Sequence, residues 1–445
     1  MKQFLHLWVP IFLSNAIIML SGLFDVIFLS HFSSQHVAAM AVCLSIYSLC
    51  FVSGIGILQG MMQELAEAKG RQAFSDIQRI VKQGVLIVLI VSVFAAWLFT
   101  HATPLLNLLK ADDELQALIT PCLMLMAWII PGHLLLRILY ILTQTCGQAK
   151  RVFYANILYL IFKVLLGYCL IFGIEGYIAA YGVQGAFISS LIIQWLMLFI
   201  YYFVFLEKIL RIQWSGTFLH WATLIKILRI GVPNGIVTFV DVFAVSAIAL
   251  LILPLGDIVI NSHQIMLGLL GLMFMVPLSM GSAFSILVST KIGAEHIESA
   301  WQLSKKAVVV VLSIGLCLAS FVWIFQRWII ALFSGDQQVL AVAFSLMMLV
   351  CWMHIFDAIL VISVNMLRCW KEVVLPMFIF TTTVLVLGLG GGWYIAYHPI
   401  SFMNIDFNAL GIHGFWWMLA IAYTVAACLC LLCLSLKYRY YIRRT

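Results

Sequence analysis

Residues 231–295 read GVPNGIVTFVDVFAVSAIALLILPLGDIVINSHQIMLGLLGLMFMVPLSMGSAFSILVSTKIGAE. Two apolar runs lie in this stretch, about 228–253 and 258–288, parted only by a short break around Gly256 and Asp257. Each exceeds the ~20 residues that cross ~30 Å of hydrocarbon as a helix. Their apolar residues are continuous rather than alternating, which favours helices over barrel strands, and a helix in lipid pairs its own backbone groups. One acid, Asp241, stands inside the first run. An ionisable side chain at mid-bilayer costs roughly 2.5–3.5 kcal/mol on insertion scales, so it marks an ion or proton path by default.

The same pattern fills the 445 residues, 64% of them hydrophobic and only 9% charged, with a mean hydropathy of +1.13. Twelve runs are legible: about 7–30, 38–62, 83–101, 117–143, 153–173, 182–206, 228–253, 258–288, 307–326, 338–365, 374–396 and 410–436. The chain reads as an all-α integral membrane protein with twelve transmembrane helices. Its first run lacks a small-residue cleavage site and reads as a retained helix, not a signal peptide. Two further acids, Asp25 and Asp357, also sit inside apolar runs.

Of the 24 Lys and Arg, 20 fall in the same alternate set of loops or at the ends, including Lys437, Arg439, Arg443 and Arg444. Lys110 and Arg327 lie in the opposite loops, and Arg137 and Lys163 lie within spans. That asymmetry predicts both termini on the cytoplasmic side. The net charge of +7 then reports topology and contact with the lipid bilayer, not nucleic-acid binding. The eleven cysteines, Cys428, Cys430 and Cys433 among them, show no metal or disulfide spacing and read as small packing residues.

Placing residues 1–206 over the second half reveals a six-helix unit used twice. Each copy opens on a proline-containing helix, Pro10 and Pro233, and its second helix leaves through a glycine-rich exit, GIGILQGMMQELAEAKGR against PLSMGSAFSILVSTKIGAE. The fourth helices leave alike, through LTQTCGQAKR and NMLRCWKEV. The expected organisation is an N-lobe over 1–206, a cytoplasmic linker over 207–226 and a C-lobe over 227–445. Six is an even number, so the copies share one orientation, as parallel repeats around a central cavity do in transporters. Within the linker, Leu210, Trp214, Phe218, Trp221 and Leu224 suit either an interfacial amphipathic helix or a plain connection.

The stretch 231–295, with its His263-Gln264 pair and Gly281, resembles the seventh and eighth helices of the multidrug and toxic compound extrusion (MATE) family, in its bacterial NorM-like branch. SGLFDVIFLSHF, with Asp25, is similar to the end of that family's first helix, and WMHIFDAILVISVNMLRC, with Asp357, to its tenth. The resemblance implies two six-helix lobes and cation-coupled export of small organic compounds. It further implies a multi-pass protein of the bacterial inner membrane, monomeric, with no enzymatic activity and no cofactor beyond a coupling cation, H+ or Na+. The chain departs from the family at Lys163 and Gly167, where the fifth helix usually offers Asn, at Arg137 on helix 4, and at Met353, where some relatives place Tyr. Asp241 stands where several relatives carry Glu, and Gln63 and Glu67 replace the family's Pro and Gln.

Asp25, Asp241 and Asp357 are the candidate coupling residues. If Asp241 and Asp357 face one lobe, two anions in low dielectric repel, so one holds a proton or a cation sits between them. A Na+ site on these two acids needs more oxygens, for which carbonyls near Pro233, or Asn234 and Asn365, are possible donors. Asp25 shares its half with two buried bases, Arg137 and Lys163, either of which is a possible partner. His354, three residues before Asp357, joins this candidate charge network. Nineteen Met, 31 Phe and 14 Trp supply adaptable and aromatic surface for flat hydrophobic cations. Met266, Phe274, Met280 and Phe284 are cavity candidates by depth on helix 8.

No HExxH, nucleophile elbow or phosphate-binding GxxxxGK loop is present, which argues against a membrane enzyme. A lipid-linked oligosaccharide flippase of the same superfamily is the nearer alternative, kept open by Arg137 and Lys163. A passive channel is disfavoured by the duplicated lobes.

Overall fold

A computed structural model describes residues 2–108, 112–206, 218–402 and 405–442. Among these, twelve helices are long and apolar enough to span a membrane: α1 Lys2–Phe32, α2 Ser34–Gly70, α3 Phe74–Thr100, α4 Asp113–Thr145, α5 Ala149–Phe172, α6 Val183–Val204, α7 Trp221–Leu255, α8 Asp257–Gly293, α9 Ile297–Ile324, α10 Gln337–Cys369, α11 Val374–Tyr397 and α12 Ile412–Tyr441. All twelve predicted runs are matched. Most helices outlast their apolar runs by a turn or more, because backbone hydrogen bonding continues past the point where lipid ceases to select side chains. One short antiparallel pair, Ile400–Phe402 with Ile405–Phe407, interrupts the helical pattern between α11 and α12.

The linker is shorter than expected, since α7 already starts at Trp221. Residues 207–217, including Leu210 and Trp214, lie outside the described residues, as do Lys110, Arg443 and Arg444. Phe218 and Trp221 are exposed, whereas Leu224 is buried in the first turn of α7.

From α2 through the short helix after α3, the duplication is kept to the residue. The same interval of 223 residues separates the starts of α2 and α8, their ends at Gly70 and Gly293, and the starts of α3 and α9. It also separates the short helices Thr103–Leu108 and Gln326–Ala331. Even the helix terminators repeat: Gln72 (φ 58°) and Glu295 (φ 61°) both take the left-handed conformation. In both copies the following amide then reaches back to a last-turn carbonyl, Ala73 to Ala68 and His296 to Lys291. These are helix stops of the left-handed kind, made here without glycine.

Two compact units result, Met1–Gly235 and Ile236–Thr445. In the first, α4 packs against α2, α3 and α6, and α1 packs along α5. In the second, α10 takes the corresponding place against α8, α9 and α12. The opening turns of α7 belong to the first unit, where small residues let backbones touch. A Cβ on Gly231 would stand 2.2 Å from the Ile57 carbonyl oxygen, and one on Gly60 would stand 2.6 Å from that of Ile227. Asn234 Nδ2 then donates to Gly56 O at 2.7 Å.

At one end of the second unit, Trp301 of α9 stacks on Trp370 with centroids 3.8 Å apart. Tyr438 of α12 closes on the same ring edge-on, and the Lys305 ammonium lies 3.7 Å over the Tyr438 ring. This cluster ties α9, α10 and α12 together.

Candidate functional site: the charged groups inside each unit

Helix geometry explains why the acids point inward. Nine residues turn a helix through about 900°, which is half a revolution beyond two full turns. Val232 and Met348 are exposed on the outer faces of α7 and α10, so Asp241 and Asp357, nine residues on, lie on the opposite faces. Both carboxylates therefore enter the interior of the second unit.

There Tyr423 of α12 donates its hydroxyl to Asp241 Oδ1 at 2.5 Å, and Phe380 of α11 holds the tyrosine ring edge-on at 5.9 Å. Asp357 is near enough to interact electrostatically with both Asp241 and Tyr423. No Lys, Arg or His lies within ion-pair distance of either acid among the described residues. The arrangement is thus two carboxylates and a phenol in a buried space without a fixed cation. It can hold a proton on one of the two acids, with the phenol hydrogen bond orienting Asp241. Tyr423 was not singled out from the sequence. The available signal was a lone tyrosine in the apolar run AIAYTVAAC.

Both asparagines suggested as further Na+ donors make hydrogen bonds elsewhere. Asn234 donates to Gly56 O within the first unit. Asn365 accepts from Ser285 Oγ at 3.1 Å and donates to Val361 O at 2.8 Å. No group of three or more His, Cys, Asp or Glu able to hold a metal ion occurs among the described residues.

His354 is fully buried and neither ring nitrogen has a hydrogen-bond partner, so it makes no bond to Asp357 despite the one-turn spacing. Met266, Met280 and Phe284 are closed into side-chain packing and line no accessible space, because they fall on the α8 face that meets α10. Phe274 alone of that set retains partial exposure.

In the first unit the choice between two bases is resolved. Lys163 Nζ of α5 lies 2.8 Å from Asp25 Oδ1 of α1, with side chains 2% and 10% exposed. The ammonium also donates to Ala186 O at 2.8 Å and to Ser189 Oγ at 2.7 Å, both on α6. Three oxygens thus use all three donors of the ammonium. Gly167, one turn along α5, leaves the room: a Cβ there would lie 3.8 Å from Asp25 Oδ1 and 3.9 Å from Lys163 Nζ. Arg137 takes no part in the pair.

A second polar contact escaped the sequence reading altogether. Tyr47 of α2 and His133 of α4 meet at 2.6 Å, hydroxyl to Nδ1, beside the ring of Phe51. A histidine and a tyrosine 86 residues apart carry no joint signal until α2 and α4 pack.

Comparison with known proteins agrees with this architecture. The MatE family model matches residues 10–169 and 233–394, once in each half. The chain is 28% identical over 433 residues to the "Probable multidrug resistance protein NorM" of Pasteurella multocida, covering 96% of this chain and 92% of the relative. It is also 28% identical over 431 residues to the "Multidrug resistance protein MdtK" of Edwardsiella ictaluri, covering 96% and 93%. The fold matches that of a solved eukaryotic MATE transporter, AtDTX14, with a TM-score of 0.84 at 18% identity over 98% of this chain and 95% of that one. The resemblance seen in the helix motifs therefore holds across most of both halves, and the chain belongs to the MatE family.

Proposed function

We propose that this protein exports small hydrophobic organic compounds, cations among them, in exchange for an inward-moving cation. Relatives named multidrug resistance proteins support the substrate class. The coupling ion is a proton held at Asp241 and Asp357, and Asp25 takes part through its ion pair with Lys163. The observation that carries this reading is a pair of interacting acids inside the second unit, Asp241 bonded to Tyr423, with no base in ion-pair distance of either among the described residues. Such a pair changes charge whenever a proton enters or leaves, and a bundle that repacks in response alternates its access. Two lobes of six helices, 1–206 and 227–445, with both termini on the cytoplasmic side of a bacterial inner membrane, complete the proposal.

Energetics constrain the exchange. One charge crossing 100 mV is worth roughly 2.3 kcal/mol. If one proton enters as a monovalent cation leaves, the charges cancel and only the pH gradient drives export. Two protons per substrate recruit the membrane potential as well. Purified protein in proteoliposomes, given pH and Na+ gradients separately, tests this directly. Dye movement driven by the pH gradient alone is expected. Movement driven only by Na+ refutes the proton assignment, and movement that follows neither gradient points to the flippase reading.

A further inference from the structure

Two basic residues stand inside the predicted membrane spans of the first unit, Lys163 and Arg137. Lys163 pairs with Asp25, whereas Arg137 on α4 has no ion pair among the described residues. Exposure along α4 fixes its direction: Met124 and Trp128 are 54% and 68% exposed on the outer face. His133 and Arg137 follow them by nine residues each and so point the opposite way. Both retain partial exposure on that face.

Arg137 stands eight residues before the end of α4, about 12 Å along the axis. No carboxylate lies within ion-pair distance of it among the described residues, and its buried Nε has no hydrogen-bond partner. One turn on, the buried Tyr140 hydroxyl is also without a partner, and the two side chains are close enough to interact electrostatically. One turn back, His133 is committed to Tyr47, and its ring together with Tyr47 and Phe51 forms a small aromatic wall. A guanidinium in low dielectric with unused donors is costly unless an anion arrives. Its fork geometry matches a carboxylate.

We propose that Arg137, with the Tyr140 hydroxyl, forms an anion-reading subsite that takes the carboxylate of a flat aromatic compound, whose ring lies against Tyr47 and Phe51. This rests on reading the chain as an exporter of organic compounds and names one class of them. Its test uses equilibrium binding with no gradient, so a failure of ion coupling leaves it intact. The probes are a rhodamine carrying a free carboxylate and its methyl ester, which share a ring system and differ by that charge. Binding is followed by fluorescence polarisation to the full-length detergent-purified protein.

The free acid is expected to bind about tenfold to a hundredfold more tightly than the ester, the scale of a charge-assisted hydrogen bond. Arg137→Met should bring the ratio near unity, Tyr140→Phe should reduce it severalfold, and Arg137→Lys should restore part of it. Equal affinities, preference for the ester, failure of the acid to bind, or a ratio unchanged in Arg137→Met would each overturn the proposal. The wild-type comparison stands even if a variant does not fold.

Discussion

Lys163→Met is the perturbation that most sharply probes the first unit. It deletes an ammonium that makes three short contacts, at 2.8 Å to Asp25 Oδ1, 2.8 Å to Ala186 O and 2.7 Å to Ser189 Oγ. Methionine fills nearly the same volume, so the packing loss is small and the electrostatic one dominates. Ser189 keeps its own bond to Ala186 O at 2.8 Å, so the stranded group is Asp25. Removing one partner of a buried ion pair typically costs about 3–5 kcal/mol, because the other charge stays uncompensated. Solvent screening offers little relief, since Asp25 is 7% exposed. For a unit of this size about 2–4 °C of melting temperature accompanies each kcal/mol, so a fall of roughly 6–20 °C is expected.

Asp25→Asn should cost less, because the amide oxygen still accepts from Lys163 Nζ. The double variant Asp25→Leu with Lys163→Met should recover most of the loss, since replacing both members of a buried pair by apolar groups is often neutral or better. The assay is thermal melting of the four proteins in one detergent, followed by fluorescence-detected size exclusion. A Lys163→Met protein that melts within about 2 °C of wild type, or a double variant with additive losses, would refute the reasoning.

Neutralising the other pair should spare folding and remove work: Asp241→Asn and Asp357→Asn are each expected to abolish export driven by a pH gradient in proteoliposomes while melting within a few degrees of wild type. Gly231→Ala should lower thermal stability by about 1–3 kcal/mol, since its methyl would fall 2.2 Å from the Ile57 carbonyl oxygen and force the crossing helices apart. Detergent melting checks it, with exposed Gly268→Ala as a control that meets no neighbour within 4 Å. Trp301→Ala should cost about 3–5 kcal/mol by emptying the stack on Trp370, read as loss of monodisperse protein on heating.

Much of the fold was legible in the one-dimensional pattern because lipid imposes a simple rule. Each crossing needs about twenty apolar residues, and loops on one side collect lysine and arginine. The repeat was legible for a related reason: the fourth-helix exits TCGQAKR and RCWKEV each set a cysteine just before basic residues, and the second-helix exits of both copies are rich in glycine. The limits of the helices were less visible. The terminators at Gln72 and Glu295 are set by backbone hydrogen bonds that no residue type announces.

The acids themselves were determined by sequence alone, because a carboxylate in an apolar run costs free energy wherever it points. Their partners were decided only by tertiary structure. Lys163 and Arg137 were equivalent candidates for Asp25 in the sequence, and the choice fell to Lys163 because α1 lies along α5 while Arg137 projects from α4. Tyr423 joined Asp241 from 182 residues away, and Met266, Met280 and Phe284 left the cavity for the core when α8 turned that face to α10. Burial and charge are properties of a single helix in lipid, whereas pairing depends on the rotation of each helix against its neighbours.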